Sequence, residues 1–509
     1  MKQLKKIKIL SRKSDLAIIQ ANQVGLRIKE KFPNIDIEYI TKKTAGDIDL
    51  KTPLSKMENV GVFTDDLRSD LVKNECDIAV HSWKDLPLDL GRETFLGGSL
   101  ERADQRDILF VKKNNIEKIN KSKSISVLSS SPRRIYNLNE FIKEYLPFNC
   151  KKIFFKDIRG NIPTRFEKFI LGHEDCMVVA KAAIDRLIHS NMDQFNNLSK
   201  NIKEKINECL WTITPLSQNP TSPGQGALGI EVRKDNNEII EILKKISDTM
   251  TIECVNHERE ILKKYGGGCH QKIGVSFFPM FFGLMKSEKG ETDNGQKFSN
   301  WGKYKNNILK KEKISIKNLY PESLKDNKLF FRKEIKESIS KINALRKHCI
   351  WIARKSSIPE NVKIHDSNII WTSGIKTWKH LTRRGIWVNG TADGMGENLE
   401  ANIDSLTSNP WIKLTHSNAP ISKIKKTIAT YDLLKQPIEK KLNTKKYFYW
   451  MSSSAFEYAI QNFPDIIQAN HACGPGNTYQ EIKKTITDPN KLSIALSYSS
   501  WKNDLLNDS

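Results

Sequence analysis

The strongest constraint on the fold is an alternation of short apolar runs with amphipathic stretches, from residue 7 to about residue 235. Ile7–Leu10 has the composition of a strand, and Ser14–Phe32 carries apolar residues three and four apart, as on one face of a helix. This alternation is typical of a parallel sheet covered by helices, so the sequence predicts an α/β fold. We expect further strands at Ile35–Ile40, Asp77–Val80, Ile108–Val111, Ile125–Leu128, Lys152–Phe155, Met177–Ala180 and Leu228–Val232.

The chain has 509 residues, which is room for roughly three to five domains. Residues 238–265 have a helical pattern, short apolar runs follow up to residue 345, and a strand-like run begins again at Cys349. Seven of the ten tryptophans lie beyond residue 346, which marks a shift in composition. The sequence therefore predicts two α/β lobes, a small α+β domain and a C-terminal α/β domain. Their boundaries are predicted as 1–105 with 206–237 for the first lobe, 106–205 for the second, 238–345 for the small domain and 346–509 for the last.

The composition excludes several classes of partner. Lys and Arg outnumber Asp and Glu by 83 to 59, but the excess is spread along the chain, so we expect no nucleic-acid partner. No apolar run approaches the roughly 18 residues of a membrane span, and the basic N-terminus leads into a strand-like run without an apolar signal region. We therefore expect a cytoplasmic protein with no membrane partner. The eight cysteines form no C-x-x-C pair, which predicts free thiols and no metal site.

Three polar motifs follow predicted strands, at the sheet edge where α/β proteins bind ligands. The first, His81–Pro87, contains a hydroxyl, an ammonium and a carboxylate within four residues. The adjacent Lys84 and Asp85 would most often be a solvated surface pair, but at a strand end the carboxylate could act as an acid or a base. The other motifs are Ser129–Arg134, with paired arginines, and Asp157–Arg165, with two arginines six apart. Arginine forks pair with carboxylates, so these motifs predict a carboxylate-rich ligand.

Together with Arg12–Ser14, Pro223–Ala227 and Gly267–Cys269, these motifs occur in an order and spacing that resemble the hydroxymethylbilane synthase family, also called porphobilinogen deaminase. The resemblance covers about residues 7–345. It implies two binding-protein-like α/β lobes with the active site between them, and a small domain that carries a cofactor cysteine. The segment that matches the family's mobile lid departs from the usual pattern, since Glu58–Phe63 lacks a lysine and contains a glutamate.

This resemblance also implies a chemistry. The family joins four porphobilinogen units head to tail with loss of ammonia, on a dipyrromethane primer held by a thioether. Cys269 matches the anchor of this dipyrromethane cofactor, and Asp85 and Lys84 match the catalytic residues, Asp85 as the catalytic carboxylate. A carboxylate suits this role because loss of ammonia leaves a pyrrolic cation. Porphobilinogen and the polypyrrole product are then the expected partners of a monomeric enzyme.

The same resemblance assigns the binding residues. Each pyrrole carries an acetate and a propionate, so the cleft needs a cationic lining. The residues that match cofactor-binding positions are Cys269, Arg133, Arg134, Ser131, Ser82 and Asp47. Those that match substrate-binding positions are Arg12, Ser14, Gln20, Arg159, Arg165, Arg186, Phe63 and Gln225.

Residues 346–509 resemble uroporphyrinogen III synthase. The resemblance rests on the strand-like run Tyr447–Trp450, which leads into Ser452 and Ser453, and on a Gly-Pro turn before Thr478. It implies a second site at these two serines and this threonine. Turns of this kind are also common structural helix caps, and the segment is short for the two-lobed fold of that family.

Two alternatives stay open from the sequence. The C-terminal region could be structural or inactive, which would leave a deaminase with one activity. The two lobes could also form a solute-binding protein without catalysis, because a fold does not determine a function. The presence of Asp85 and Cys269 favours the enzyme.

Overall fold

The computed structural model describes residues 5–44, 64–266, 271–304, 314–323, 329–438 and 440–506. The chain forms two compact units. Unit 1 comprises Met1–Lys303 with Asn402–Leu406, and unit 2 comprises Tyr304–Ala401 with Thr407–Ser509. None of the helices in the described stretches is long and apolar enough to cross a membrane.

Unit 1 contains two five-stranded sheets, which define lobe 1 and lobe 2, and a third sheet of three strands. Its strands are β1 (Lys6–Arg12), β2 (Asp36–Lys42), β3 (Ile78–Ser82), β4 (Thr94–Gly98), β5 (Asp107–Lys112), β6 (Ser124–Leu128), β7 (Lys152–Lys156), β8 (Cys176–Ala180), β9 (Cys209–Ile213), β10 (Leu228–Arg233), β11 (Gly274–Met280), β12 (Gly283–Glu291) and β13 (Lys297–Lys303). The strand order is β2-β1-β3-β10-β4 in lobe 1, β7-β6-β8-β5-β9 in lobe 2 and β11-β12-β13 in the third sheet.

Helices pack against these sheets. They are α1 (Asp15–Lys31), α2 (Asp65–Val72), α3 (Ile116–Ser122), α4 (Pro132–Tyr145), α5 (Ile162–Leu171), α6 (Lys181–Ile188), α7 (Asn196–Asn207), α8 (Asn237–Ile246) and α9 (Thr249–Lys264). The α/β class predicted from the alternation of apolar runs is confirmed.

Helix α1 shows how the sequence builds lobe 1. Ser14 caps the helix, since its hydroxyl accepts a hydrogen bond from the Ala17 amide at 3.4 Å, and Pro33 follows the end of the helix. Val24 and Ile28 are fully buried in the core that α1 shares with the sheet. Burial of such a side chain stabilises the lobe by roughly 1.5–3 kcal/mol.

The two large sheets of unit 1 are mixed, whereas the sequence predicts parallel ones. Strand β10 runs antiparallel to β3 and β4, and β5 runs antiparallel to β8 and β9. The path of the chain explains this, because the chain enters lobe 2 at β5 and returns to lobe 1 at β10, and each of these strands joins its sheet in the reverse direction. Strands β4 and β9 are additions to the predicted set.

Two predicted boundaries within unit 1 also differ from the structure. Strand β9 pairs with β5, so lobe 2 extends to Ile213 and does not end at residue 205. The helical segment predicted over 238–265 is two helices, because Asp248 interrupts it. Asp248 caps α9, since its carboxylate accepts a hydrogen bond from the Thr251 amide at 2.7 Å. The chain then forms the antiparallel third sheet, which packs on α9.

Unit 2 contains two further sheets. Its strands are β14 (Leu319–Tyr320), β15 (Phe330–Glu334), β16 (Cys349–Ile352), β17 (Ile369–Thr372), β18 (Gly390–Thr391), β19 (Trp411–His416), β20 (Thr427–Lys435), β21 (Tyr447–Trp450), β22 (Asn470–Cys473) and β23 (Leu492–Ile494). Its helices are α10 (Glu337–Asn343), α11 (Ile375–Arg383), α12 (Ser453–Asn462), α13 (Asn477–Thr485) and α14 (Tyr498–Leu506).

These sheets define lobe 3, with strand order β15-β20-β19-β16-β17-β18, and lobe 4, with strand order β14-β21-β22-β23. The pairings are parallel apart from that of β15 with β20. Because β14 pairs with β21 and β15 pairs with β20, the stretch from 319 to 334 supplies one strand to each lobe of unit 2. The units therefore divide near residue 303, whereas the sequence predicts the last boundary between residues 345 and 346. Although the segment looks short for a two-lobed fold, unit 2 has two sheets.

The two segments that connect the lobes of unit 1 lie side by side, and a glycine permits their close approach. The Ala103 amide donates to the Gly226 carbonyl at 3.3 Å. Gly226 has a φ of +88°, and a Cβ on it would lie 2.5 Å from the Ala103 carbonyl oxygen. Only glycine fits there, because both the backbone conformation and the space exclude a side chain.

We predict that Gly226→Ala lowers the free energy of unfolding by about 2 kcal/mol or more, since the added methyl forces the connecting segments apart. Gly295→Ala is the matched control: its φ is +83°, but a Cβ there would meet no atom within 4 Å. The control should lose only about 1 kcal/mol, the cost of the left-handed backbone alone. Urea unfolding of the full chain measures both values, and equal losses would contradict the role of the contact.

Candidate active site

A cavity of about 80 Å³ lies at the carboxyl end of the lobe 1 sheet. It brings together five residues that the sequence predicts for the site, namely Arg12, Ser14, Gln20, Ser82 and Asp85. Leu16, Ala17, Thr64, Val80 and His81 also line it. The predicted residues come from the carboxyl ends of β1 and β3 and from α1, so the sheet itself places them at one edge, where ligands bind in open α/β folds.

Hydrogen bonds hold several of these groups in place. Gln20 is 3% exposed, and its amide nitrogen donates to the Ser82 hydroxyl at 3.0 Å. Residues Trp83–Asp85 form a single 3-10 turn, which is anchored because the Trp83 amide donates to the Ala227 carbonyl at 3.1 Å. The turn therefore holds Asp85 at the cavity.

Lys84 lies half-buried in the same turn. Its ammonium donates a hydrogen bond to Gln225 Oε1 at 3.4 Å. Burial lowers the pKa of Lys84 to about 8; the negative charge of Asp85 opposes this shift, and the positive charge of Arg134 adds to it. Lys84 is therefore a cation that loses its proton at mildly alkaline pH.

Arg133 and Arg134 are both bound to one protein carboxylate, that of Asp107. Arg133 Nη2 donates to Asp107 Oδ2 at 2.9 Å, and Arg134 Nη2 donates to Asp107 Oδ1 at 2.6 Å. Burial acts to raise the pKa of Asp107, but the two guanidinium charges outweigh it and hold that pKa well below its usual range. Arg133 is 2% exposed and also donates to Asn219 Oδ1 at 3.0 Å. The predicted cofactor contacts of these arginines are thus additional to a structural ion pair.

The loops of lobe 2 supply the other predicted cations. Arg165 Nε donates to the Gly160 carbonyl at 2.7 Å. The pKa of Arg165 is lowered to about 10. Burial is the largest cause and the charge of Arg134 acts in the same direction, whereas the carboxylate of Asp85 opposes the shift. The charges of Asp85 in lobe 1 and Arg165 in lobe 2 therefore interact. Arg159, in the same motif as Arg165, is half-buried.

Ser131 and Arg186 have hydrogen-bonding capacity left for a ligand. Ser131 precedes α4 without capping it through its side chain. Arg186 Nη2 donates to the Gly226 carbonyl at 2.8 Å, and burial lowers the pKa of Arg186 to about 10. The Nε atoms of Arg186 and Arg133 are buried and have no hydrogen-bond partner among the residues that the structure describes. A buried donor without a partner is costly, and a ligand carboxylate would satisfy it.

Three predicted site residues, Asp47, Phe63 and Cys269, lie outside the described residues. Within the described stretches, no group of His, Cys, Asp and Glu side chains could hold a metal ion.

Sequence reasoning missed two buried carboxylates that organise the site, Asp107 and Glu258. Glu258 is fully buried and accepts both terminal nitrogens of Arg102, at 2.7 and 2.9 Å. Glu258 also accepts hydrogen bonds from the Gly224 amide at 2.8 Å and from the Phe277 amide at 2.7 Å. It therefore joins the segment between β9 and β10 to the third sheet. The available signal was an acidic residue at the start of an apolar strand or within a helix, which is too common to single either one out.

Solved structures with similar chain traces are only weakly alike. The periplasmic sulfonate-binding protein SsuA from Methylobacillus flagellatus KT matches with a TM-score of 0.28 and 14% identity, covering 52% of this chain and 73% of that chain. The periplasmic aliphatic sulphonate binding protein SsuA from Escherichia coli matches with a TM-score of 0.24 and 9% identity, covering 52% of this chain and 70% of that chain. Likenesses this weak carry no argument about function.

Comparisons of sequence are specific. Residues 7–241 match the family model described as porphobilinogen deaminase, dipyromethane cofactor binding domain. The chain is 35% identical over 270 residues to the porphobilinogen deaminase of Chlorobium phaeovibrioides, covering 53% of this chain and 78% of that protein. It is 34% identical over 272 residues to the porphobilinogen deaminase of Prochlorococcus marinus strain MIT 9312, with the same coverage. On these matches, and with dipyrromethane as its cofactor, this chain belongs to the porphobilinogen deaminase family.

Proposed function

We propose that unit 1 joins four porphobilinogen units into hydroxymethylbilane, with release of ammonia, and that Asp85 is its catalytic carboxylate. Membership of the porphobilinogen deaminase family supports this activity, which belongs to tetrapyrrole biosynthesis. The observation that supports the assignment of residues is that Asp85 lines one cavity with Arg12, Ser14, Gln20 and Ser82. Cytoplasmic location and a monomeric state stay predictions from the sequence.

The donors around the cleft fit the dipyrromethane cofactor. Its acetate and propionate groups need hydrogen-bond donors, and the buried Nε atoms of Arg133 and Arg186 are donors without a partner among the described residues. Ser131 and Ser82 would add hydroxyl contacts. We assign the covalent attachment to Cys269; bound there, the cofactor supplies the primer from which the polypyrrole chain grows.

Asp85 has a chemical role that its position supports. Loss of ammonia from porphobilinogen leaves a positive charge on the pyrrole, and a carboxylate at the cavity stabilises that charge and accepts and returns protons. Trp83 is 2% exposed and fixes the turn, so Asp85 is held on a rigid element. This placement reduces the reorganisation needed when charge develops.

Lys84 and the arginines bind carboxylates in this proposal. Gln225 holds Lys84 through Oε1 and is itself oriented by its Nε2, which donates to Asp107 Oδ1 at 2.8 Å. Lys84 is thereby directed toward the cleft as a cation. Arg12 contributes from lobe 1, and Arg159 and Arg165 contribute from lobe 2.

We predict that kcat/KM falls above about pH 8, because Lys84 loses its proton there and no longer attracts substrate carboxylates. Lys84→Arg keeps a positive charge at all these pH values and should remove the alkaline loss. The measurement is porphobilinogen consumption by the holoenzyme from about pH 6 to about pH 10. An alkaline limb that is unchanged in the variant would show that another group titrates.

We predict that Asp85→Asn retains the covalent adduct in an intact-mass measurement but loses turnover by about two orders of magnitude or more, because the amide cannot stabilise the cation. Cys269→Ala should lose both the adduct and turnover, and Cys254→Ala, at a buried thiol in α9, should retain both. Near-normal turnover in Asp85→Asn would refute its role. A wild-type chain without an adduct would support the alternative of a solute-binding protein.

We also propose that unit 2 is a uroporphyrinogen III synthase fused to the deaminase. Its support is the presence of two lobes, whose sheets are parallel apart from the pairing of β15 with β20, and the contact between their carboxyl edges. A Cβ on Gly396, which follows β18, would lie 2.5 Å from the Cα of Gly476, which follows β22. Such an edge is where open α/β sheets bind ligands. A flexible linear tetrapyrrole released by unit 1 would be captured at high effective concentration by a tethered second site.

The residues proposed for the second site differ in burial and in hydrogen bonding. Ser452 caps α12, since its hydroxyl accepts a hydrogen bond from the Ala455 amide at 3.3 Å. This contact fits the alternative that the turn is a structural helix cap. Ser453 is buried, and Thr478 is half-buried in the first turn of α13. Thr478 is therefore better placed than the two serines to contact a ligand.

We predict that the full chain converts porphobilinogen mainly to the type III uroporphyrinogen isomer, and that a chain truncated after Lys303 yields type I. Without a synthase, the linear product closes to the symmetric ring. The cut is placed at 303 because the strands β14 (Leu319–Tyr320) and β15 (Phe330–Glu334) belong to the sheets of unit 2. Separation of the oxidised isomers decides the matter, and type I from both chains would leave unit 2 structural or inactive.

A further inference from the structure

Arg354 is a guanidinium group at the meeting of the two lobes of unit 2. It follows β16 of lobe 3, and its Nη2 donates to the carbonyl of Met451, which follows β21 of lobe 4, at 2.6 Å. Burial lowers the pKa of Arg354; Tyr431 opposes this shift and the charge of Arg332 adds to it. Among the described residues, no carboxylate raises the pKa of Arg354, and the Met451 carbonyl is the hydrogen-bond partner of its guanidinium group.

Two more basic side chains lie close to Arg354. In the parallel pairing of β16 with β19, Ile352 is opposite Leu414, which puts Arg354 level with His416. The Tyr431 ring centroid lies 5.9 Å from the His416 ring and 5.9 Å from the Arg332 guanidinium carbon. These residues form one cluster at the edge of lobe 3.

The same cluster lacks negative charge. Burial, together with the charges of Arg354, Lys413 and Arg332, lowers the pKa of His416 to about 4. His416 Nδ1 is buried and has no hydrogen-bond partner within the described stretches. The nearby Lys413 is instead paired with Glu397, at 2.9 Å, so its charge is already compensated.

A cluster of this kind is an anion site. Arg354 is a desolvated cation, which is costly unless an anion pairs with it, and a guanidinium fork favours a carboxylate. Arg354 belongs to one lobe and contacts the other, so an anion bound to it would be held between the two carboxyl edges.

We propose that Arg354, Arg332 and His416 form a carboxylate-binding site of unit 2, which holds an acetate or propionate side chain of the linear tetrapyrrole. This inference rests on the proposed synthase function, which supplies the ligand. Arg354 is the main anchor because it is the least solvated of the three, and Arg332 is exposed and adds a second positive charge.

The test uses the full chain and freshly prepared hydroxymethylbilane over a range of concentrations, with type III uroporphyrinogen as the measured product. We expect Arg354→Met to raise KM about tenfold or more with a smaller change in kcat, and Arg354→Lys to recover part of this. Arg332→Met should raise KM by a smaller factor. Lys484→Met is the matched control, since it removes a 68% exposed charge on α13 that pairs with Glu481 at 2.7 Å, and its KM should not change.

The outcomes separate the two proposals. A wild-type chain that forms no type III product overturns the synthase function, and this inference with it. Wild-type activity with an unchanged KM in both Arg354→Met and Arg332→Met overturns the carboxylate site alone. If Arg354→Met unfolds at a lower temperature than wild type, the exposed Arg332→Met decides, and a KM equal to that of Lys484→Met then counts against the site. The deaminase rate of each variant should equal that of wild type.

Discussion

Asp107 is fully buried and accepts hydrogen bonds from Arg133, Arg134, Asn219 and Gln225. These partners come from helix α4 and from the segment that returns the chain to lobe 1, so one carboxylate connects the body of lobe 2 to the connecting segments. Removal of one partner of a buried charge cluster typically costs about 3–5 kcal/mol, because the remaining charges are left without compensation. The geometry of the cleft depends on this cluster.

The cluster also contributes to the electrostatics of the candidate active site. Gln225 is oriented by Asp107 through Nε2, and its Oε1 then faces both Lys84 and Arg134, at 3.4 Å in each case. The positive charge of Arg134 contributes to the lowered pKa of Lys84. A structural ion pair and the cation of Lys84 are therefore linked through the amide of Gln225, so a change at Asp107 would affect Lys84 without a direct contact.

The sequence predicts what local patterns encode. The apolar runs predict most strands of unit 1, and the motif residues Arg12, Gln20 and Asp85 meet in one cavity. Strand direction was predicted wrongly for β5 and β10, because the pattern of apolar residues is the same for parallel and antiparallel neighbours. The paired arginines predict a carboxylate-rich ligand, which stays a prediction, and no spacing rule shows that a protein carboxylate 26 residues from Arg133, that of Asp107, takes part. The cationic cluster around Arg354 is likewise assembled from separate strands.

The two short strands β14 and β15 have a consequence for how the protein is made. Both pair with strands that come much later in the chain, β21 and β20. During synthesis on the ribosome, β14 and β15 stay unpaired until β21 and β20 have been made. Contacts between distant parts of a chain form slowly, and an unpaired strand edge can associate with another chain in the meantime. The sheets of unit 2 therefore form only after β20 and β21 have been made, and a chain that stops before them leaves β14 and β15 without their partner strands.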